Sequence, residues 1–230
     1  MANTPPKATL PDIICQNIKK DITQQILRPG DHINVRELAQ RYGTSETPVK
    51  LALNRLISEK IIVNFPRQGM QVRTIQPDEV EEIFDMRLML DLYYTQKIIT
   101  AVNYNDRLRQ ALQTNVTEHM ALVQALTPDS PVEEYIKNYE YDTQFHELYL
   151  KCSGCQKIVD IYHYICPFQY SNYIFHRQSK NKDITGVKEH EMILQAIFNE
   201  DEAALREALT VHMLNAKHAV GLILKVDQIL

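Results

Sequence analysis

Ile14, Ile18, Ile22 and Ile26 stand four residues apart near the start of the chain. They mark one face of an amphipathic helix, which Pro29-Gly30 is expected to stop. Val35 to Tyr42 has the pattern of a short second helix, with Gly43 as its left-handed cap. A third helix is expected after Thr44-Ser45-Glu46, with Thr47 as its cap, Pro48 at its first position and Val49, Leu53, Leu56 and Ile57 on its apolar side. Ile61-Ile62-Val63-Asn64-Phe65 and Met70-Gln71-Val72-Arg73 flank Pro66-Arg67-Gln68-Gly69, a β-hairpin signal. From Gln76-Pro77-Asp78-Glu79, whose acidic residues suit a helix first turn, the pattern is helical to Leu230 with no convincing strand. Breaks near 103–106, 127–131, 153–154, 178–185 and 199–201 divide it into about six helices, enough for an antiparallel bundle.

The order helix, helix–turn–helix, hairpin is that of a winged helix-turn-helix. The expected fold is therefore mainly α, with a winged helix-turn-helix over residues 1–76 and an all-α antiparallel bundle over 77–230. Composition agrees: 44% of residues are hydrophobic and 23% charged, as in a folded globular chain, and 6 glycines in 230 residues are few for a turn-rich β architecture. No apolar run approaches the roughly 18 residues that span a bilayer, and Met1 to Lys7 lacks the apolar core of a signal peptide. Four cysteines are too few for a disulfide framework, and Cys152-Ser-Gly-Cys155, a lone C-x-x-C, is weak evidence for zinc or for redox chemistry. The expected compartment is the cytoplasm, with no membrane partner.

Charge divides the chain in two. Residues 1–76 hold 11 Lys/Arg against 6 Asp/Glu, a net of +5, and residues 77–230 carry −9. A basic head on an acidic body suits nucleic-acid binding by the head. Thr47, Lys50 and Asn54 fall on the outer face of the third helix, able to enter a major groove, while Arg36 and the wing residues Arg67 and Gln68 reach the backbone or minor groove. The alternative is a solvated module that contacts only protein. Leu27-Arg-Pro-Gly-Asp-His-Ile33, the run from Leu38-Ala39 through Gly43-Thr-Ser-Glu-Thr-Pro-Val-Lys50, and Pro66-Arg-Gln-Gly-Met-Gln-Val72 together resemble the GntR family of bacterial repressors. The resemblance extends the DNA-contacting set to Ser45, Glu46 and Gly69. Glu46 and Lys50 stand where the family usually has arginines. A carboxylate repels phosphate but accepts from cytosine N4, so Glu46 is expected to change the operator preferred.

In the body, Asp142 and His146 stand at i and i+4 of one helix, a spacing from which one metal ion can take both. Glu189-His190 and His212 follow on later helices. Each alone is equally an ordinary hydrogen-bonded residue. Arg87-Leu-Met-Leu-Asp91, Phe145-His146-Glu-Leu148, Glu189-His190-Glu-Met-Ile-Leu-Gln-Ala-Ile197 and His212 follow the order of the FCD domain of FadR-type GntR regulators. That resemblance implies a divalent ion, Zn²⁺, Ni²⁺ or Mn²⁺, held by Asp142, His146, His190 and His212. Open coordination positions would accept a small carboxylate effector. Arg87 is expected either to reach the cavity or to pair with Asp91. Tyr162, Tyr170 and Tyr173 lie where relatives often carry pocket arginines and are candidates to donate hydroxyls to the effector.

The two resemblances imply a homodimeric transcription regulator, a repressor, that binds a pseudo-palindromic double-stranded operator under control of the effector. Its rival is a metal-dependent hydrolase or lyase with Glu189 or Glu191 as base, but no catalytic signature such as H-E-x-x-H is present. A purely structural metal site in a regulator is the third possibility.

Overall fold

The computed structural model describes residues 8–74, 76–165 and 178–229. The chain divides into two compact units, Met1–Ile75 and Gln76–Leu230.

The first unit opens with α1 (Leu10–Thr23), started by a reciprocal capping box between Thr9 and Asp12. Its inner face carries Ile14, Ile18 and Ile22, all buried. The helix stops six residues before Pro29: Gln25 takes a left-handed φ of +59° and Ile26 is half exposed. The isoleucine spacing thus outlasts the helix, because the chain turns away under a residue that carries no breaker signal. Asp21 then ties α1 to the second helix, accepting from Arg41 Nη1 and Tyr42 OH, each at 2.8 Å.

A short strand β1 (His32–Ile33), not expected from the pattern, precedes α2 (Val35–Arg41). Asn34 caps α2 by accepting from the amides of Arg36 and Glu37. Gly43, at φ +62°, makes the turn to α3 (Glu46–Ser58). This helix begins at Glu46 with Ser45 as its cap, rather than after Thr47. Pro48 then sits in the first turn, where its missing N–H leaves no helical hydrogen bond unmade. Val49, Ala52, Leu53 and Leu56 are sealed inside, while Ile57 is only half-buried. β2 (Ile62–Phe65) and β3 (Gly69–Val72) form the hairpin, with Phe65 opposite Gly69, and β3 lies between β1 and β2.

The second unit is all helical among the described residues: α4 (Pro77–Tyr93), α5 (Thr95–Asn103), α6 (Asp106–Ala125), α7 (Val132–Lys151), α8 (Gln156–Tyr164), α9 (Lys180–Phe198) and α10 (Glu202–Ile229). The break at Tyr94, which separates α4 from α5, was not expected from the pattern. The break expected over 178–185 is shorter: Ser179 caps α9 by accepting from the Lys182 amide, so residues 180–185 are already helix. α10 packs along α4 and α9, and α6 along α7 and α9, around a core that includes Leu112, Val116, Phe145, Ile193, Ile197 and Leu209. Several polar residues face inward among these apolar ones, and they build the site.

Candidate functional site

In the first unit, every residue expected to meet DNA is exposed: Arg36 on α2, Ser45, Glu46, Thr47, Lys50 and Asn54 at or on α3, and Arg67, Gln68 and Gly69 at the hairpin turn. Two details go beyond the sequence. Lys50 Nζ bonds Glu46 Oε2 at 3.0 Å across one helical turn. Ser45 caps α3 without a side-chain hydrogen bond, so its hydroxyl is not committed to the helix.

In the second unit, α7 supplies Asp142 and His146, α9 His190 and α10 His212. One ligand atom from each lies within 4.8 Å of all the others. His146 Nε2 and His190 Nε2 stand 3.1 and 3.2 Å from His212 Nε2, and Asp142 Oδ1 is 3.5 Å from His190 Nε2. The three imidazoles are buried, whereas Asp142 keeps about a third of its side chain exposed. Burial, reinforced by Arg87 and the neighbouring rings, holds His146 and His190 well below the usual imidazole range. They are therefore neutral and keep a lone pair to give. Burial pushes Asp142 up, but the opposing pull of neighbouring cationic groups, the Arg87 guanidinium among them, leaves it below the usual carboxylate range.

Two carboxylates stand behind the rings. Asp91 Oδ2 is 3.1 Å from His146 Nδ1, and Glu189 Oε2 is 2.8 Å from His212 Nδ1. Glu189 Oε1 also accepts from Asn215 Nδ2 at 2.7 Å, and the Asp91 carbonyl accepts from Tyr149 OH at 2.8 Å. Glu189 on Nδ1 keeps the His212 ring proton there, so its Nε2 turns its lone pair inward; Asp91, pushed up to about 7 by burial against the pull of Arg87, does the same for His146 when ionised. Phe145 stacks on His190 at 3.9 Å and fixes that ring. Nitrogen lone pairs crowded this closely repel one another, and a cation between them removes the conflict. One carboxylate and three imidazoles suit Zn²⁺, Ni²⁺ or Mn²⁺. The residues fit such an ion.

A cavity of about 80 Å³ adjoins Asp142 and His212, lined also by Arg87, His119, Asn138 and Asp183. That is room for several water-sized groups. Arg87 is buried, its guanidinium 5.5 Å from the Phe84 ring and 5.8 Å from the Tyr162 ring. Of the tyrosines expected to serve a ligand, Tyr162 is not in the lining. It lies under Arg87 and donates its hydroxyl to the Thr143 carbonyl at 3.3 Å. Tyr170 and Tyr173 lie outside the described residues.

Sequence reasoning passed over His119, Asn138 and Asp183. Their signal is nonetheless in the pattern: Leu112, Asn115, Val116, His119 and Val123 form the buried stripe of α6, and two of the five are polar. Glu189, weighed as a catalytic base, is committed to His212 and Asn215.

Residues 12–72 match the bacterial regulatory proteins of the gntR family, and residues 82–215 match the FCD domain. The chain belongs to the GntR family. It is a DNA-binding transcriptional regulator with an FCD domain, and its families and relatives are regulators rather than enzymes. Among GntR relatives, an uncharacterized HTH-type transcriptional regulator of Bacillus subtilis, YdhC, is 20% identical over 85% of this chain and 84% of its own length. The gluconate operon transcriptional repressor of the same organism is 22% identical over 85% of this chain and 79% of its own. Among solved GntR-type structures, McbR/YncC of Escherichia coli matches the fold with a TM-score of 0.70 at 18% identity, over 93% of this chain and 98% of that one. No helix among the described residues is long and apolar enough to cross a membrane.

Proposed function

We propose that this regulator is a cytoplasmic repressor whose operator binding is set by a small carboxylate metabolite bound beside a divalent cation. The observation that carries this reading is the convergence of Asp142, His146, His190 and His212 next to a cavity that also holds Arg87. Asp142, His146, His190 and His212 would hold the cation, which when bound supplies positive charge and coordination positions for an acid. Arg87 adds a fixed positive charge on the cavity wall, and Asp91 and Glu189 keep two of the imidazoles turned toward the centre. A ligand changes DNA affinity only through its differential affinity for the two DNA-binding states.

In this account the protein works as a homodimer, each head placing α3 in a major groove of one half of a pseudo-palindromic operator. Thr47, Lys50 and Asn54 read base edges. Ser45, Arg36, Arg67, Gln68 and Gly69 grip the backbone or minor groove, and Glu46 shifts the base preference. A purely structural metal predicts retention of the ion with no ligand effect. The test is a thermal-shift screen of small acids against Zn²⁺-loaded and chelator-stripped protein. An acid that stabilises only the loaded form supports the reading, and acids that stabilise both forms alike, or neither, contradict it.

A further inference from the structure

The wall of the cavity carries a polar relay whose hydrogen bonding fixes what a ligand must offer. His119, on the inner stripe of α6, is buried, and its Nε2 stands 2.7 Å from Asn138 Oδ1. The Asn138 side chain bonds Asp183, whose Oδ1 also accepts from Gln178 Nε2 at 2.8 Å. A carboxylate accepts, so Asn138 gives it Nδ2 and turns its Oδ1 to His119. An amide oxygen also only accepts, so the proton of the His119 ring sits on Nε2. Nδ1 is left as a bare acceptor, and that atom is buried with no hydrogen-bond partner. Buried polar atoms are nearly always satisfied, and an exception in the lining of a cavity points to a ligand.

We propose that the cavity selects hydroxy acids: the carboxylate lies toward the cation and Arg87, and a hydroxyl donates to His119 Nδ1. This rests on the acid-sensing role proposed above and adds which acids are sensed. A hydroxyl fits better than an ammonium group, which would share a small space with Arg87, Lys182 and a divalent cation. The acidic residues of the lining are already engaged: Asp183 by Asn138 and Gln178, Glu189 by His212 and Asn215, and Asp142 by the cation. His119 is then the specificity-determining residue, and Asn138 and Asp183 are positioning residues that hold its tautomer. A site built to receive a hydroxyl rejects the analogue that lacks it, because the analogue leaves a buried acceptor unpaired.

The test uses the full chain loaded with Zn²⁺ and titrated calorimetrically with butanoate, 2-oxobutanoate and the 2-, 3- and 4-hydroxybutanoates. At least one hydroxy acid is expected to bind tenfold or more tightly than butanoate and 2-oxobutanoate. His119→Phe should bring that ratio close to one, and His119→Gln, which still offers an acceptor oxygen, should restore part of it. Equal binding of all five acids, or a preference that survives His119→Phe, overturns the proposal while leaving acid sensing intact. Binding of none of them to loaded protein removes the acid-sensing reading itself. A measurement on the unmodified protein is independent of variant folding: the ¹⁵N imidazole shifts should report His119 protonated at Nε2, with Nδ1 moving when the hydroxy acid is added. A proton found on Nδ1 overturns the proposal.

Discussion

Lys50 is held by Glu46 at 3.0 Å, so the cation proposed to meet DNA is already engaged by a carboxylate one turn away. An exposed pair of this kind contributes only about 0.3–0.5 kcal/mol to stability. Glu46→Gln should therefore leave thermal stability almost unchanged. It should strengthen binding to non-specific duplex severalfold and steepen the dependence of log affinity on log salt by up to about one unit. Fluorescence anisotropy between 50 and 200 mM salt reads both, and an unchanged slope and affinity would show that the pair does not tax the head. Glu46→Arg should also change which operator is selected from a random pool. Behind the imidazoles, Glu189 accepts from both His212 and Asn215, which a carboxylate does with its two oxygens and an amide cannot do without rearrangement. Glu189→Gln is expected to lower Zn²⁺ affinity about 10–100-fold in chelator competition while the chain stays folded. Unchanged affinity would mean that His212 is positioned by packing alone.

At the scale of helices, Ser45 makes no side-chain bond to the amides it caps, whereas Thr9, Asn105 and Ser179 each accept from an amide of the helix they start. Asn34 caps α2 through two such bonds. Asn34→Ala should therefore cost about 1 kcal/mol in denaturant unfolding and Ser45→Ala under about 0.5 kcal/mol. Ser45→Ala should nonetheless weaken operator binding, because the hydroxyl is left for the duplex. A large stability loss, with DNA binding intact, would assign Ser45 to the helix instead. On α9, burial pushes Asp183 up to about 6 from an ordinary 3.8, against the hydrogen bonds of Asn138 and Gln178. A carboxyl whose folded value is raised costs nothing while protonated in both states, and weakens the fold as pH climbs from about 4 to above 6. Asp183→Asn should gain on the wild type across that window, on the order of 2–3 kcal/mol by pH 7, and parallel pH–stability curves would refute the assignment.

Across the whole molecule, a net +5 lies in residues 1–76 and −9 in residues 77–230, a distribution that draws a polyanion to the head and repels it from the body. The helix-turn-helix order, the hairpin and the pairing of Asp142 with His146 one turn apart were legible because they depend on local spacing. Asp91 and Glu189 were visible as residues but not as partners of His146 and His212, since those contacts join positions 55 and 23 apart in sequence. The end of α1 escaped for a different reason: Gln25 adopts φ +59° without the glycine that usually announces it. The start of α4 at Pro77 was legible, and its inner stripe of Val80, Phe84, Arg87 and Asp91 is buried while Met89 and Tyr93 face outward; its end at Tyr94 was not legible, because no glycine or proline marks it. The most direct test of the whole account is operator affinity, measured by anisotropy on a site selected in vitro, with and without a stabilising acid, for Zn²⁺-loaded and chelator-stripped protein. The account predicts that the acid shifts affinity at least about fivefold in the loaded protein and leaves the stripped protein unmoved. An equal shift in both forms, or none in the loaded form, would contradict it.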